Sequence, residues 1–64
     1  MVADKQMNHA AYQRKCRTMD MAALMFTIKD AQEAIAANPN NPNNGYYADE
    51  IAYCGMEIRR RQKS

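Results

Sequence analysis

Asn38-Pro39-Asn40-Asn41-Pro42-Asn43-Asn44-Gly45 is the segment on which the fold turns. Each proline lacks an N–H and disfavours helix in the residue before it, so no helix runs through this stretch. Asparagine and glycine tolerate the left-handed backbone that a reversal often uses, which predicts an ordered turn over 38–45 rather than a slack linker. Apolar patterns of helical period flank it. Upstream, Leu24, Ile28, Ala31 and Ile35 follow a four-three-four spacing and predict a helix over 21–37. Downstream, Tyr47, Ile51, Cys54 and Ile58 repeat that spacing and predict a helix over 46–62. Two helices with matching seams and a short connection pack as an antiparallel hairpin.

The second helix takes Thr18 or Asp20 as its N-cap, since either side chain accepts from the unpaired N–H groups of a first turn. Before it, Asn8 caps a short helix over 9–17, in which Tyr12 and Cys16 are four apart and share one face. Residues 1–7 carry no period and are expected to fray. The third helix has Asp49 and Glu50 near its positive end and Arg59, Arg60, Arg61 and Lys63 at its negative end, as the helix dipole favours. Gly55 is anomalous, because a mid-helix glycine costs about 1 kcal/mol relative to alanine. It marks either a close approach by another backbone or ring, or plain tolerance. The expected fold is all-α, one domain over 1–64: a helical hairpin with a short N-terminal helix.

A domain of 64 residues is marginally stable, because a chain that small buries only about 60% of its unfolded surface. Disulfides, a metal or self-association usually supplement such a core. Two cysteines are too few for a disulfide framework, and residues 1–10 lack the apolar core of a signal peptide, so a cytoplasmic chain with free thiols is expected. A Cys16–Cys54 bridge would require the first helix to pack on the third. His9 and two distant cysteines do not make a zinc site, and no metal or other cofactor is expected. The longest apolar run, Met21 to Phe26, falls far short of the roughly 20 residues that span a membrane. Self-association remains, predicting a homodimer that completes a helical bundle.

Catalysis is not expected. His9 is the only histidine, it has no orienting partner in sequence, and a small hairpin offers little concave volume. Glu50 and Glu57 lie on one helical stripe, but Glu57 is placed to pair with Arg61 one turn on.

Two surfaces suggest binding instead. The antiparallel hairpin gathers seven of the nine basic residues, Arg14, Lys15, Arg17, Arg59, Arg60, Arg61 and Lys63, at one end, with Asp30, Glu33, Asp49 and Glu50 toward the other. The seams also leave over Met21, Met25, Phe26, Tyr46, Tyr53 and Met56, side chains that suit interfaces or else finish the core with the first helix. The leading expectation is a protein-binding surface of Phe26, Tyr46, Tyr53 and Met56, with Arg59, Arg60 and Arg61 setting electrostatic register. The alternative is a nucleic-acid-binding protein, with Arg14, Lys15, Arg17 and Lys63 joining the arginine run on phosphates. Taken alone, the run Arg59 to Arg61 is better explained by dipole capping and solubility than by a partner, and it is the basic cluster of the first helix that brings the binding reading level.

Gly45-Tyr46-Tyr47-Ala48-Asp49-Glu50-Ile51-Ala52-Tyr53-Cys54, followed by Glu57-Ile58-Arg59-Arg60, resembles small helical proteins encoded by tailed bacteriophages. The resemblance covers the C-terminal third and includes no catalytic motif. It implies host takeover or counter-defence in the infected cell's cytoplasm: a small protein that binds a host protein and inhibits or redirects it.

Overall fold

The computed structural model describes residues 8–63. The expected fraying of residues 1–7 lies outside the described residues. The chain forms α1 (His9–Thr18), α2 (Met21–Ala37) and α3 (Asn44–Lys63). Asn8 caps α1, its side-chain oxygen accepting from the Ala11 N–H at 3.1 Å. Of the two caps open for α2, Asp20 serves, accepting from the Ala23 N–H at 2.8 Å. Thr18 instead donates its hydroxyl to the Lys15 carbonyl at 2.8 Å, inside the last turn of α1. Only Met19 and Asp20 then separate α1 from α2.

The 38–45 connection reverses without left-handed residues, correcting the expectation from its asparagines and glycine. Among the described residues none has positive φ. The Asn41 N–H donates to the Asn38 carbonyl at 3.1 Å and the Asn44 N–H to the Asn41 carbonyl at 3.0 Å, making two consecutive turns. Each turn starts with asparagine and has proline second, where the ring's fixed φ suits a type I or II turn. The second turn runs straight into α3, whose Tyr47 N–H donates to the Asn43 carbonyl at 3.2 Å. The helix therefore starts at Asn44, two residues earlier than its apolar seam implies. From that first turn, the Asn44 side-chain amide donates to the Asn38 and Pro39 carbonyls at 3.0 and 2.9 Å, tying the start of α3 to the end of α2.

The hairpin of α2 on α3 buries Leu24, Ala31 and Cys54, with Ile28 and Ile58 packed beside them. The short α1 packs on α3 and adds Tyr12 and Cys16 to the same core. The molecule is elongated, 42 × 23 × 15 Å, so few side chains lie far from solvent. Gly55 is not a point of close approach: a Cβ built there meets nothing within 4 Å. One chain accounts for all of this packing, and the expected dimer is not part of it.

Candidate functional site

The junction of α1 with α3 is built by polar contacts as much as by apolar ones. The Tyr12 hydroxyl donates to Glu50 Oε2 at 3.3 Å and lies 3.6 Å from Cys54 Sγ. Its ring stands 6.3 Å from that of Tyr53, and Lys15 Nζ is 5.7 Å from its centroid on the outer side. Tyr53 in turn places its hydroxyl 2.8 Å from His9 Nδ1. Glu50, expected toward the end away from the basic cluster, is thus drawn against α1. Burial is the main reason the Tyr12 phenol is raised well above its usual range, since little water is left to stabilise a phenolate.

At the other end of α1 a single arginine closes the helix. Arg61 Nη2 donates to the carbonyls of Cys16 at 3.1 Å and Arg17 at 3.3 Å, and also to that of Met19. These lie in the last turn of α1 and its C-cap, where helical partners run out, although the Cys16 carbonyl also accepts from the Met19 N–H at 3.2 Å. The Nε of Arg61 donates to Glu57 Oε2 at 2.7 Å. Glu57 also accepts two bonds from Arg60, at 3.0 and 2.6 Å. Although only 6% exposed, Glu57 is therefore ionised and doubly paired, and the hydrogen bonds from Arg60 and then Arg61 hold its carboxyl down at about 2. The same pairing raises the Arg60 guanidinium.

Between α1 and α3 lies a groove of about 190 Å³ lined by Gln13, Cys16, Arg17, Tyr53, Met56, Glu57 and Arg60. Tyr53 and Met56 supply its apolar wall, with Met56 57% exposed. Arg17 and Arg60 supply positive charge beside it. The arrangement suits an apolar side chain flanked by an acidic group.

Three of the residues expected at a protein-binding surface, Tyr53, Met56 and Arg60, come together here, joined by Arg17 from the expected phosphate-contacting set. Phe26 does not join them. It follows Leu24 by two residues, about 200° around the helix, so it projects from the back of α2 and is 68% exposed. Met56 lines the groove between α1 and α3, and Phe26 is not among the groove residues. Tyr46, half-buried, lies ten residues before Met56, about 15 Å along α3, with its ring edge-on to Tyr47 at 6.2 Å. Arg61 is turned inward onto Glu57 and α1, while Arg14, Lys15, Arg17, Arg59 and Lys63 are exposed. Gln13 and Cys16 belong to the groove and were not anticipated there; the spacing from Tyr12 to Cys16 was the available signal, but it did not say which helix α1 would meet.

Among the described residues no three His, Cys, Asp or Glu side chains are grouped to hold a metal ion, and no helix is long and apolar enough to cross a membrane. Comparison with family models, with curated proteins and with solved structures finds no match for this chain.

Proposed function

We propose that this chain is a non-enzymatic binding protein that engages a protein partner through the α1–α3 groove. The observation that carries the reading is Met56, a large apolar side chain left 57% exposed in a groove whose lining also includes Tyr53, Arg17 and the Glu57-paired Arg60. An adaptable thioether and an amphipathic ring are suited to anchoring a partner's apolar side chain. The arginines favour an acidic neighbour to that anchor and speed encounter with a negatively charged surface. The resemblance to tailed-phage proteins makes the partner a host protein, which docking would inhibit or redirect in the host cytoplasm.

Met25 and Phe26, on the outer side of α2, are 59% and 68% exposed, and self-association into a homodimer is the role proposed for them. This separates the two expected functions of the leftover apolar side chains, the groove for the partner and the exposed side of α2 for a second copy.

A specific observation favours nucleic acid as the second reading. By bonding the Arg17 carbonyl, Arg61 holds the basic residues of α1 beside those of α3. Phosphate binding of this kind weakens steeply with salt. Against it, Glu57 offsets part of the charge of Arg60 and Arg61.

The test is capture from nuclease-treated bacterial lysate with wild type, Met56→Asp and Phe26→Asp, at low and high salt, followed by sedimentation analysis of each pure protein. The expected result is one stoichiometric protein partner lost with Met56→Asp and retained with Phe26→Asp, the latter variant being monomeric. Equal capture by both variants refutes the groove. Binding that disappears with nuclease or salt selects the second reading.

A further inference from the structure

Cys16 and Cys54 carry thiols whose chemistry the binding role does not use. They come from different helices, α1 and α3, and their Sγ atoms lie 4.0 Å apart at 1% and 0% exposure. Both are free thiols. Their contact lies in the α1–α3 junction, where the Tyr12 hydroxyl is 3.6 Å from Cys54 Sγ and Arg61 Nη2 donates to the Cys16 carbonyl at 3.1 Å. A disulfide requires the sulfurs to close to about 2.05 Å, which a rotation of each side chain supplies if the helices already face each other. One member of the pair, Cys16, also borders the groove, although its side chain is buried while α1 is docked.

We propose that Cys16 and Cys54 are a redox modification site, a dithiol that a small peroxide converts to a disulfide, latching α1 onto the hairpin. In the first step the sulfur of Cys16, deprotonated as it reacts, attacks one oxygen of the peroxide. The O–O bond breaks, the leaving hydroxide takes a proton to become water, and Cys16 becomes a sulfenic acid. In the second step the Cys54 sulfur attacks that of Cys16. The S–O bond breaks, an S–S bond forms, and the expelled hydroxide takes the Cys54 proton to give a second water. Two thiols are oxidised and one hydrogen peroxide is reduced to two waters.

A disulfide suits this site better than a bound soft metal. Two thiolates on a monovalent cation leave a net negative charge, and burial, followed by the proximity of Cys54, already pushes the Cys16 thiol up to about 11. The disulfide carries no charge and keeps both sulfurs in the apolar core. The raised thiol also makes oxidation slow while α1 is docked and faster when α1 lifts away, because the thiolate is the nucleophile. Once formed, the disulfide holds α1 on the hairpin and prevents its opening. It stands whether or not the groove binds a protein.

The test treats the reduced full-length protein with hydrogen peroxide at low protein concentration and follows intact mass, thiol count, a non-reducing peptide map and thermal unfolding. The expected product is a monomer lighter by two hydrogens, with no titratable thiol and a Cys16–Cys54 peptide. Because the cross-link closes a loop of about 40 residues, its Tm should rise by about 10 °C or more and return to the starting value with dithiothreitol. Addition of oxygen to the thiols, cross-linked dimers, or a monomeric disulfide with a lower Tm would overturn the latch.

Discussion

Glu57 holds Arg61 at 2.7 Å, and from that position the arginine reaches the carbonyls that end α1. The pair does what neither residue does alone. The carboxylate holds the guanidinium through Nε, and Nη2 serves the carbonyls of Cys16, Arg17 and Met19 at the end of α1, the first of which also accepts from the Met19 N–H. A contact between neighbours on α3 thereby becomes a tertiary clamp on α1, and the groove beside Met56 depends on it.

Removing the guanidinium tests the clamp. Arg61→Ala is expected to lower stability by about 2 kcal/mol, the scale of hydrogen bonds made by a charged group. Arg61→Lys should recover little, because one ammonium cannot hold Glu57 and the spread carbonyls together. Thermal melts followed by circular dichroism read both, and a lysine variant as stable as wild type would show that the fork geometry is irrelevant.

Acid should loosen the same clamp. The Glu57 carboxyl has a folded value of about 2, depressed from an ordinary 4.5. Its contribution is therefore fully present above about pH 4.5 and is lost as pH falls toward 2. Urea denaturation of wild type and Glu57→Gln over this range should show a gap that is constant above pH 4.5 and narrows below it. A gap that does not change with pH would mean that charge on Glu57 contributes nothing.

Gly55→Ala should stabilise the protein by about 1 kcal/mol, the ordinary advantage of alanine over glycine in a helix interior. The space around the missing Cβ is open, so no clash offsets the gain. A lower urea midpoint for the variant would reveal a contact at this position.

Leu24 and Phe26, two residues apart, should respond in opposite ways. Leu24 is fully buried, and Leu24→Ala should cost about 2–5 kcal/mol, enough to unfold much of so small a domain. Phe26→Ala, at an exposed position, should change monomer stability by less than about 0.5 kcal/mol. Chemical denaturation at a concentration low enough to keep the chain monomeric distinguishes them, and a large loss at Phe26 there would place it in the core of the monomer.

Much of this architecture is legible before folding. The bounds of α2, Met21–Ala37, follow from Asp20 as a cap and from Asn38-Pro39 as a stop, because both signals are local. The start of α3 is less legible, since Asn44 and Gly45 carry turn chemistry yet belong to the helix; the two Asn-Pro turns already complete the reversal before them. The spacing of Tyr12 and Cys16 announces a buried face, but the helix that receives it is a tertiary choice. Phe26 and Met56 show the opposite failing: their shared character suggests one surface, yet Met56 lines the groove and Phe26 does not. Glu57 with Arg61 is visible as an i,i+4 pair, whereas the reach of Arg61 to α1 depends on how the helices cross.

The docking of α1 onto α3 creates the groove, the clamp and the thiol contact, so it is the relationship to measure first. Nuclear Overhauser spectroscopy of the reduced protein should give cross-peaks from the Tyr12 ring to the Cys54 β-protons and from His9 to the Tyr53 ring, with α1 amides slowed in hydrogen exchange. A hairpin whose α2 and α3 amides are protected while α1 shows neither cross-peaks nor protection would contradict the account.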